Sequence, residues 1–171
     1  FNFMASHDGV GLLPAHGILS EAEIDAMVER VTERGGRISY KSLPGGEIPY
    51  EMNINYMDAV SEGELPDAQR ARKFLASQSV LLALAGVPGI YYHSLLGSGN
   101  WQEGVEQAGH NRTINRRKLD FDRLSEELND AETLRNMVFE GYKTLLRARA
   151  ESPAFHPAAA QRVLSTSTTL L

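Results

Sequence analysis

The chain has 171 residues, 42% of them hydrophobic, and 17 Lys and Arg against 22 Asp and Glu give a formal net charge of −5. That length allows one domain with a sizeable core, and the acidic balance argues against a nucleic-acid partner, which demands a basic face. There is no cysteine, which removes disulfides and thiolate-bound metals and suits a cytoplasmic protein, while the longest apolar run, at 80–85, is far too short to span a bilayer.

The first residues, FNFMASHDGVG, read as a short buried strand over Phe1, Phe3 and Met4 that runs into His7-Asp8 and a glycine-flanked turn. A strand of this kind needs neighbours on both sides, so the chain reads as part of a larger protein. Ser20 followed by Glu23 has capping-box spacing, and Gly35-Gly36 is a stop signal. With Ile24, Met27, Val28 and Val31 as an apolar stripe, the pattern predicts a helix over about 21–33. Ile38-Ser39-Tyr40 suits a short strand and Pro44-Gly45-Gly46 a turn; the rest of the stretch to 55 has no clear period and reads as an irregular insertion. Its Tyr50, Asn53, Asn55 and Tyr56 form a polar-aromatic set of the type that lines sugar sites, or simply packs a surface loop.

From Pro66-Asp67 the period becomes helical, with Ala71, Phe74, Leu75, Gln78, Leu81 and Leu82 near one face and Gly86 in the stop position. GVPGIYYHSLLGSG then reads as a strand centred on Ile90-Tyr91-Tyr92, opening into a loop with Trp101 and the basic cluster HNRTINRRK. A short helix is expected at 120–128 and a long amphipathic one at 131–150, ended by Ser152-Pro153. The Thr-rich tail looks like another strand. Strand, helix, helix, strand, loop and helix in this order are the arrangement of an α/β protein. In a (β/α)8 barrel, chemistry sits where strands end, and both polar clusters, His7-Asp8 and 112–117, follow a predicted strand.

SHDG after a strand, then GVPGIYYHSLLG, then HNRTINR resembles the last quarter of an α-amylase-superfamily (glycoside hydrolase family 13) barrel. More narrowly, the series is similar to the sucrose phosphorylase group with its glucosylglycerate and sucrose 6'-phosphate phosphorylase relatives. The resemblance implies a C-terminal fragment of a TIM barrel carrying the last two strands and helices. Residues 1–9 would be a barrel strand with its catalytic loop, 10–55 an inserted subdomain, 56–152 the last barrel helices and strand, and 153–171 the start of a C-terminal β-domain.

Members of this group transfer a glucosyl unit from an α-glucoside (sucrose, sucrose 6'-phosphate or glucosylglycerate) to inorganic phosphate by a retaining mechanism, without a cofactor or a metal. Their nucleophile and acid/base carboxylates would precede residue 1, so the 171 residues alone should be inactive. Asp8 is implied as the transition-state stabiliser, holding sugar hydroxyls while the ring flattens, with His7 beside it on the same glucosyl unit. Arg112 offers a rigid five-donor fork for hydroxyls or for a carboxylate, and Arg116 stands behind it as a further substrate-binding cation. Tyr50 and Glu51 are implied as acceptor-subsite residues. A turn-capping Asp, a packed His and a solvated basic loop are the plain alternatives. Trp101 could stack on a sugar but is expected rather to cover the barrel mouth, and His93 could line the pocket. The look of the insertion tilts the acceptor toward glycerate or a phosphorylated sugar. An α-glucosidase or transglucosidase of the same superfamily remains open, and at a distance a metal-dependent phosphohydrolase, suggested by His7-Asp8 alone.

Overall fold

The structure, a computed structural model, describes residues 1–61 and 64–162. Helix α1 (Glu21–Glu33) has the expected bounds, and its capping box is formed: the Ser20 hydroxyl accepts from the Glu23 amide while the Glu23 carboxylate accepts from the Ser20 amide. The insertion is more regular than its sequence period suggests. Strands β1 (Val10–Gly11), β2 (Arg37–Leu43) and β3 (Gly46–Asn53) make an antiparallel sheet in the order β1-β3-β2. Pro49 hid β3, since proline demotes a strand in any sequence reading. It is tolerated because β1 pairs only with Glu51 and Met52, so among the described residues β2 is the sole sheet neighbour at Pro49, beside a bulge.

Alternation along this sheet separates packing from chemistry. Ile38 and Met52 pair and face α1, where Leu12, Ile24, Val31, Met52 and Ile54 form a buried core. The paired Ser39 and Glu51, one residue out of phase, take the other face with Asn53.

After α2 (Tyr56–Val60), α3 (Asp67–Ala83) runs to the expected stop. It packs on α7 (Leu134–Glu151), which begins a few residues later than the sequence suggested because Thr133, and not Asp130, caps it. Met57, Ala71, Phe74, Val138 and Tyr142 make a second core, in which the Phe74 ring meets Tyr56 and Tyr142 edge-on, each at 6.1 Å between centroids. Helices α4 (Tyr92–Leu95), α5 (Gln102–Ala108) and α6 (Phe121–Asn129) complete the described elements with three short 3-10 turns.

Two expected strands are corrected. At the first residues the ladder is one parallel bridge, Asn2 to Pro88, with the Asn2 amide donating to Val87 (3.0 Å) and the Gly89 amide to Asn2 (2.6 Å). Proline fits there because the bonds use the groups on either side of it and not its own nitrogen. The segment centred on Ile90-Tyr91-Tyr92 turns helical at Tyr92 instead of extending. A strand with a single neighbour cannot build a ladder on both edges, and each segment is held only where the two touch. The strand expected in the tail lies outside the described residues.

Candidate functional site

Three segments far apart in the chain meet at one cluster: the turn after residue 4, strand β3, and the 3-10 turn Asn111–Asn115. Gly9 makes the first approach possible. Its φ is +127°, and a Cβ there would stand 2.5 Å from the Met52 carbonyl oxygen, so only glycine lets the Asp8 peptide lie against β3.

The bulge lies at Tyr50, because Ser39 pairs with Glu51 and Tyr40 with Pro49. An unpaired residue re-aims the side chains beside it. Glu51 is thereby buried on the site face, while Tyr50 lines an open hollow of about 430 Å³ with Ser39, His110, Asn111 and Arg112.

The 3-10 turn is anchored by fully buried Ile114 and by the Tyr91 hydroxyl, which donates to the Asn115 carbonyl at 2.6 Å. Burial pushes the Tyr91 phenol well above its ordinary range, so it stays a neutral donor. At the start of the turn the His110 ring accepts from the Arg112 amide (3.2 Å), a capping task that the sequence did not announce.

These supports bring all six expected residues to one place. Arg112 grips Glu51 in a fork, Nε to Oε2 and Nη2 to Oε1, both 2.9 Å, and its Nη1 lies 3.2 Å from Asp8 Oδ1. Arg116 donates from Nη2 to Asp8 Oδ1 (2.8 Å) and from Nε to the His7 carbonyl (3.1 Å). His7 Nε2 is 3.2 Å from the same Asp8 oxygen. The hydrogen bonds and charge of Glu51 push the Arg112 guanidinium up from its already high value, so it is a permanent cation in this cluster. Two carboxylates face two guanidiniums and the formal charges cancel. Arg112, Arg116 and His7 all approach the same Asp8 oxygen, Oδ1.

Asn53 also belongs to the cluster. Fully buried, it joins Asp8, Glu51 and Ser39. The sequence placed it in a polar-aromatic set, but only half of that set is here. Asn55 caps α2 through Met57, and Tyr56 packs on Phe74, so both serve the core. Ser39 gave no sequence signal beyond lying within a short strand, and Asn111 was marked only as part of the HNRTINR motif. His93 does not line the hollow. It is buried at 1% exposure, with Nδ1 2.8 Å from Ser98 Oγ, and burial together with the Arg135 charge lowers its pKa to about 4. Arg135 donates to that same hydroxyl (3.1 Å), which ties His93, Ser98 and Arg135 into one buried group. The Trp101 ring lies directly against Gly104, where a Cβ would stand 2.3 Å from two of its carbons. His7 and Asp8 face Arg112 and Arg116, and among the described residues no group of three or more His, Asp or Glu is placed to hold a metal ion, as a metal-dependent phosphohydrolase would need.

No family model matches the chain. It is 62% identical over 170 residues, 99% of its length, to a glucosylglycerate phosphorylase of Spirochaeta thermophila. It is 44% identical over 158 residues, 92% of the chain, to a glucosylglycerate phosphorylase of Escherichia coli. A sucrose 6(F)-phosphate phosphorylase of Ilumatobacter coccineus is 30% identical over 166 residues, 90% of the chain. The crystal structure of sucrose 6F-phosphate phosphorylase from Thermoanaerobacter thermosaccharolyticum superposes with a TM-score of 0.74 at 24% identity, covering 90% of this chain and 29% of that one, which establishes the fold likeness. The chain spans 29%, 28% and 29% of the length of these three curated relatives. Over nearly its whole length the chain is therefore homologous to glucosylglycerate and sucrose 6(F)-phosphate phosphorylases, the group that its three motifs resemble.

Proposed function

We propose that these residues form part of a retaining glucoside phosphorylase, which moves a glucosyl unit from an α-glucoside to inorganic phosphate and releases α-glucose 1-phosphate. The observation that carries the reading is the convergence of Asp8, Glu51, Arg112 and Arg116 from three separate segments onto one open cluster. Asp8 accepts from sugar hydroxyls and strengthens that hold as positive charge develops on the ring; such contacts supply several kcal/mol in glycoside chemistry. Arg112 and Arg116 orient the Asp8 carboxylate, and His7 donates to a neighbouring hydroxyl. Tyr50 and Glu51 shape the acceptor side. The relatives' names favour glucosylglycerate as the donor, in line with the tilt read from the insertion.

The barrel reading is part of the same proposal. The Asn2–Pro88 bridge is the contact expected between two neighbouring parallel barrel strands, with 10–55 as the subdomain between them and residues from 153 onward leading to a C-terminal β-domain. Nucleophile and acid/base would come from another part of the complete gene product.

The test is phosphate-dependent release of glucose 1-phosphate by the complete gene product from a panel of α-glucosides, with Asp8→Asn beside it. Wild type should release it, and the variant should fall by about a hundredfold or more in kcat, as expected for loss of a charged group acting in the transition state. Free glucose as the only product would turn the reading to a hydrolase, and an unchanged Asp8→Asn would remove Asp8 from the mechanism.

A further inference from the structure

We infer that Asn53 is a positioning residue that holds the Asp8 loop and the Glu51 carboxylate in one fixed geometry; this rests on the phosphorylase reading above. Its Nδ2 donates to the Asp8 backbone carbonyl and to Glu51 Oε2, both at 2.8 Å, and its Oδ1 accepts from the Ser39 hydroxyl at 2.6 Å. Both amide hydrogens are used, so the orientation is determined. A flipped amide would set its oxygen against a carbonyl and a carboxylate, two acceptors with nothing to give. Behind it, Asn111 Nδ2 donates to Ser39 Oγ and to the Ile38 carbonyl, both at 3.3 Å.

A continuous relay thus runs from the loop that carries Arg112, through β2 and β3, to the turn that carries Asp8. Arg112 bridges Asp8 and Glu51 from the accessible side, and Asn53 bridges the same two residues from the buried side, at 0% exposure. Ligand would meet Arg112 and the carboxylates, while Asn53 lies beneath them. Removing it should leave every substrate-facing group present but let their spacing relax, and catalytic geometry is sensitive to shifts of about an ångström.

The experiment compares Asn53→Asp with wild type in the complete gene product, following kcat and KM for phosphorolysis and the thermal midpoint across pH. The substitution keeps the shape and replaces two donors by a carboxylate oxygen beside Glu51. The charged groups at that position are Glu51, whose Oε2 Asn53 meets, Arg112 on the same oxygen, and Asp8, with Arg116 and His7 beyond on the Asp8 carboxylate. Two carboxylates sharing a site raise the proton affinity of one of them, and protonation of the introduced carboxylate would restore one donor. We expect kcat to fall by about a hundredfold, the scale of a small misplacement of a catalytic group, with KM changing less. The ratio of variant to wild-type kcat, and the variant's thermal midpoint relative to wild type, should both climb as pH drops from about 8 to about 6.

A folded variant with wild-type kcat, or with a loss that is the same at every pH, overturns the inference. If wild type itself releases no glucose 1-phosphate, the phosphorylase reading fails. The thermal midpoints then decide separately whether Asn53 is coupled to Glu51, a pH-independent difference overturning that too. Should Asn53→Asp not fold, Ser39→Ala decides: freeing Oδ1 should cost about two- to tenfold in kcat, the worth of one neutral hydrogen bond, and no change would refute the relay.

Discussion

His93 shows at the scale of one residue how a fold decides what a titratable side chain is for. It follows a polar-aromatic run and lies near a candidate site, yet the turn at Tyr92–Leu95 carries it inward, where Ser98 and Arg135 close around it. Its pKa falls from 6.5 to about 4, first through burial and then through the Arg135 charge. Between those values the unfolded chain binds the proton and the folded one does not, so this contribution to stability is complete above 6.5 and is lost as pH falls toward about 4. Unfolding midpoints of the wild type measured down that window should drop, and His93→Gln, which keeps a polar partner for Ser98 without the titration, should flatten the decline. An equally steep decline in the variant would assign the acid sensitivity to other groups. Gly9 makes the complementary point: the residue without a side chain lets the Asp8 peptide reach β3.

Among the elements, α3 and α7 hold the body of the molecule together through a mostly apolar seam with one polar bond at its centre. The Tyr142 hydroxyl donates to Gln78 Oε1 at 2.7 Å, with both side chains buried, and a Cβ at Gly141 would collide with the Leu75 side chain, so the two helices approach closely. Tyr142→Phe keeps the ring and orphans a buried carbonyl oxygen, which should cost about 1–3 kcal/mol in chemical denaturation at constant m-value. A loss well under that range would mean that Gln78 finds another donor. Near the end of α7, Arg149 donates to the carbonyls of Leu82, Leu84, Gly86 and Phe155, so one guanidinium serves the orphan acceptors where α3 stops. The chain therefore leaves α3 along a set path toward Pro88 and its bridge to Asn2.

In the whole molecule, a polar joint fastens the insertion to the loop that leads to the site. Asp58 accepts from the Asn100 amide (2.6 Å), and Asn100 accepts from the Asn55 amide (2.7 Å) and donates to the Arg34 carbonyl (3.2 Å); Gln102 donates to Gly35 at 2.5 Å. Burial pushes the Asp58 carboxyl up, while Asn100 and Arg70 pull it back. Around the Asn2–Pro88 bridge, by contrast, Phe1 and Phe3 stay 83% and 60% exposed. Apolar surface of this kind is what neighbouring barrel strands would cover. The 171 residues produced alone should accordingly bind a hydrophobic dye and release no glucose 1-phosphate; weak dye binding, or activity, would contradict the barrel reading. No helix among the described residues is long and apolar enough to cross a membrane. What the sequence by itself determined was local: the bounds and cap of α1, the extent of α3, the stop after α7, and the three motifs that pointed to the homologous group. These follow from neighbours three or four residues apart, where period, caps and glycine stops act directly. Only the tertiary structure decided that β3 forms despite Pro49, that Ser39 and Asn53 belong to the site while Asn55, Tyr56 and His93 belong to the core, and that Glu51 meets Arg112 across 61 positions of chain. Those outcomes depend on strand partners, a bulge and a glycine-permitted approach, which couple residues that no local period relates.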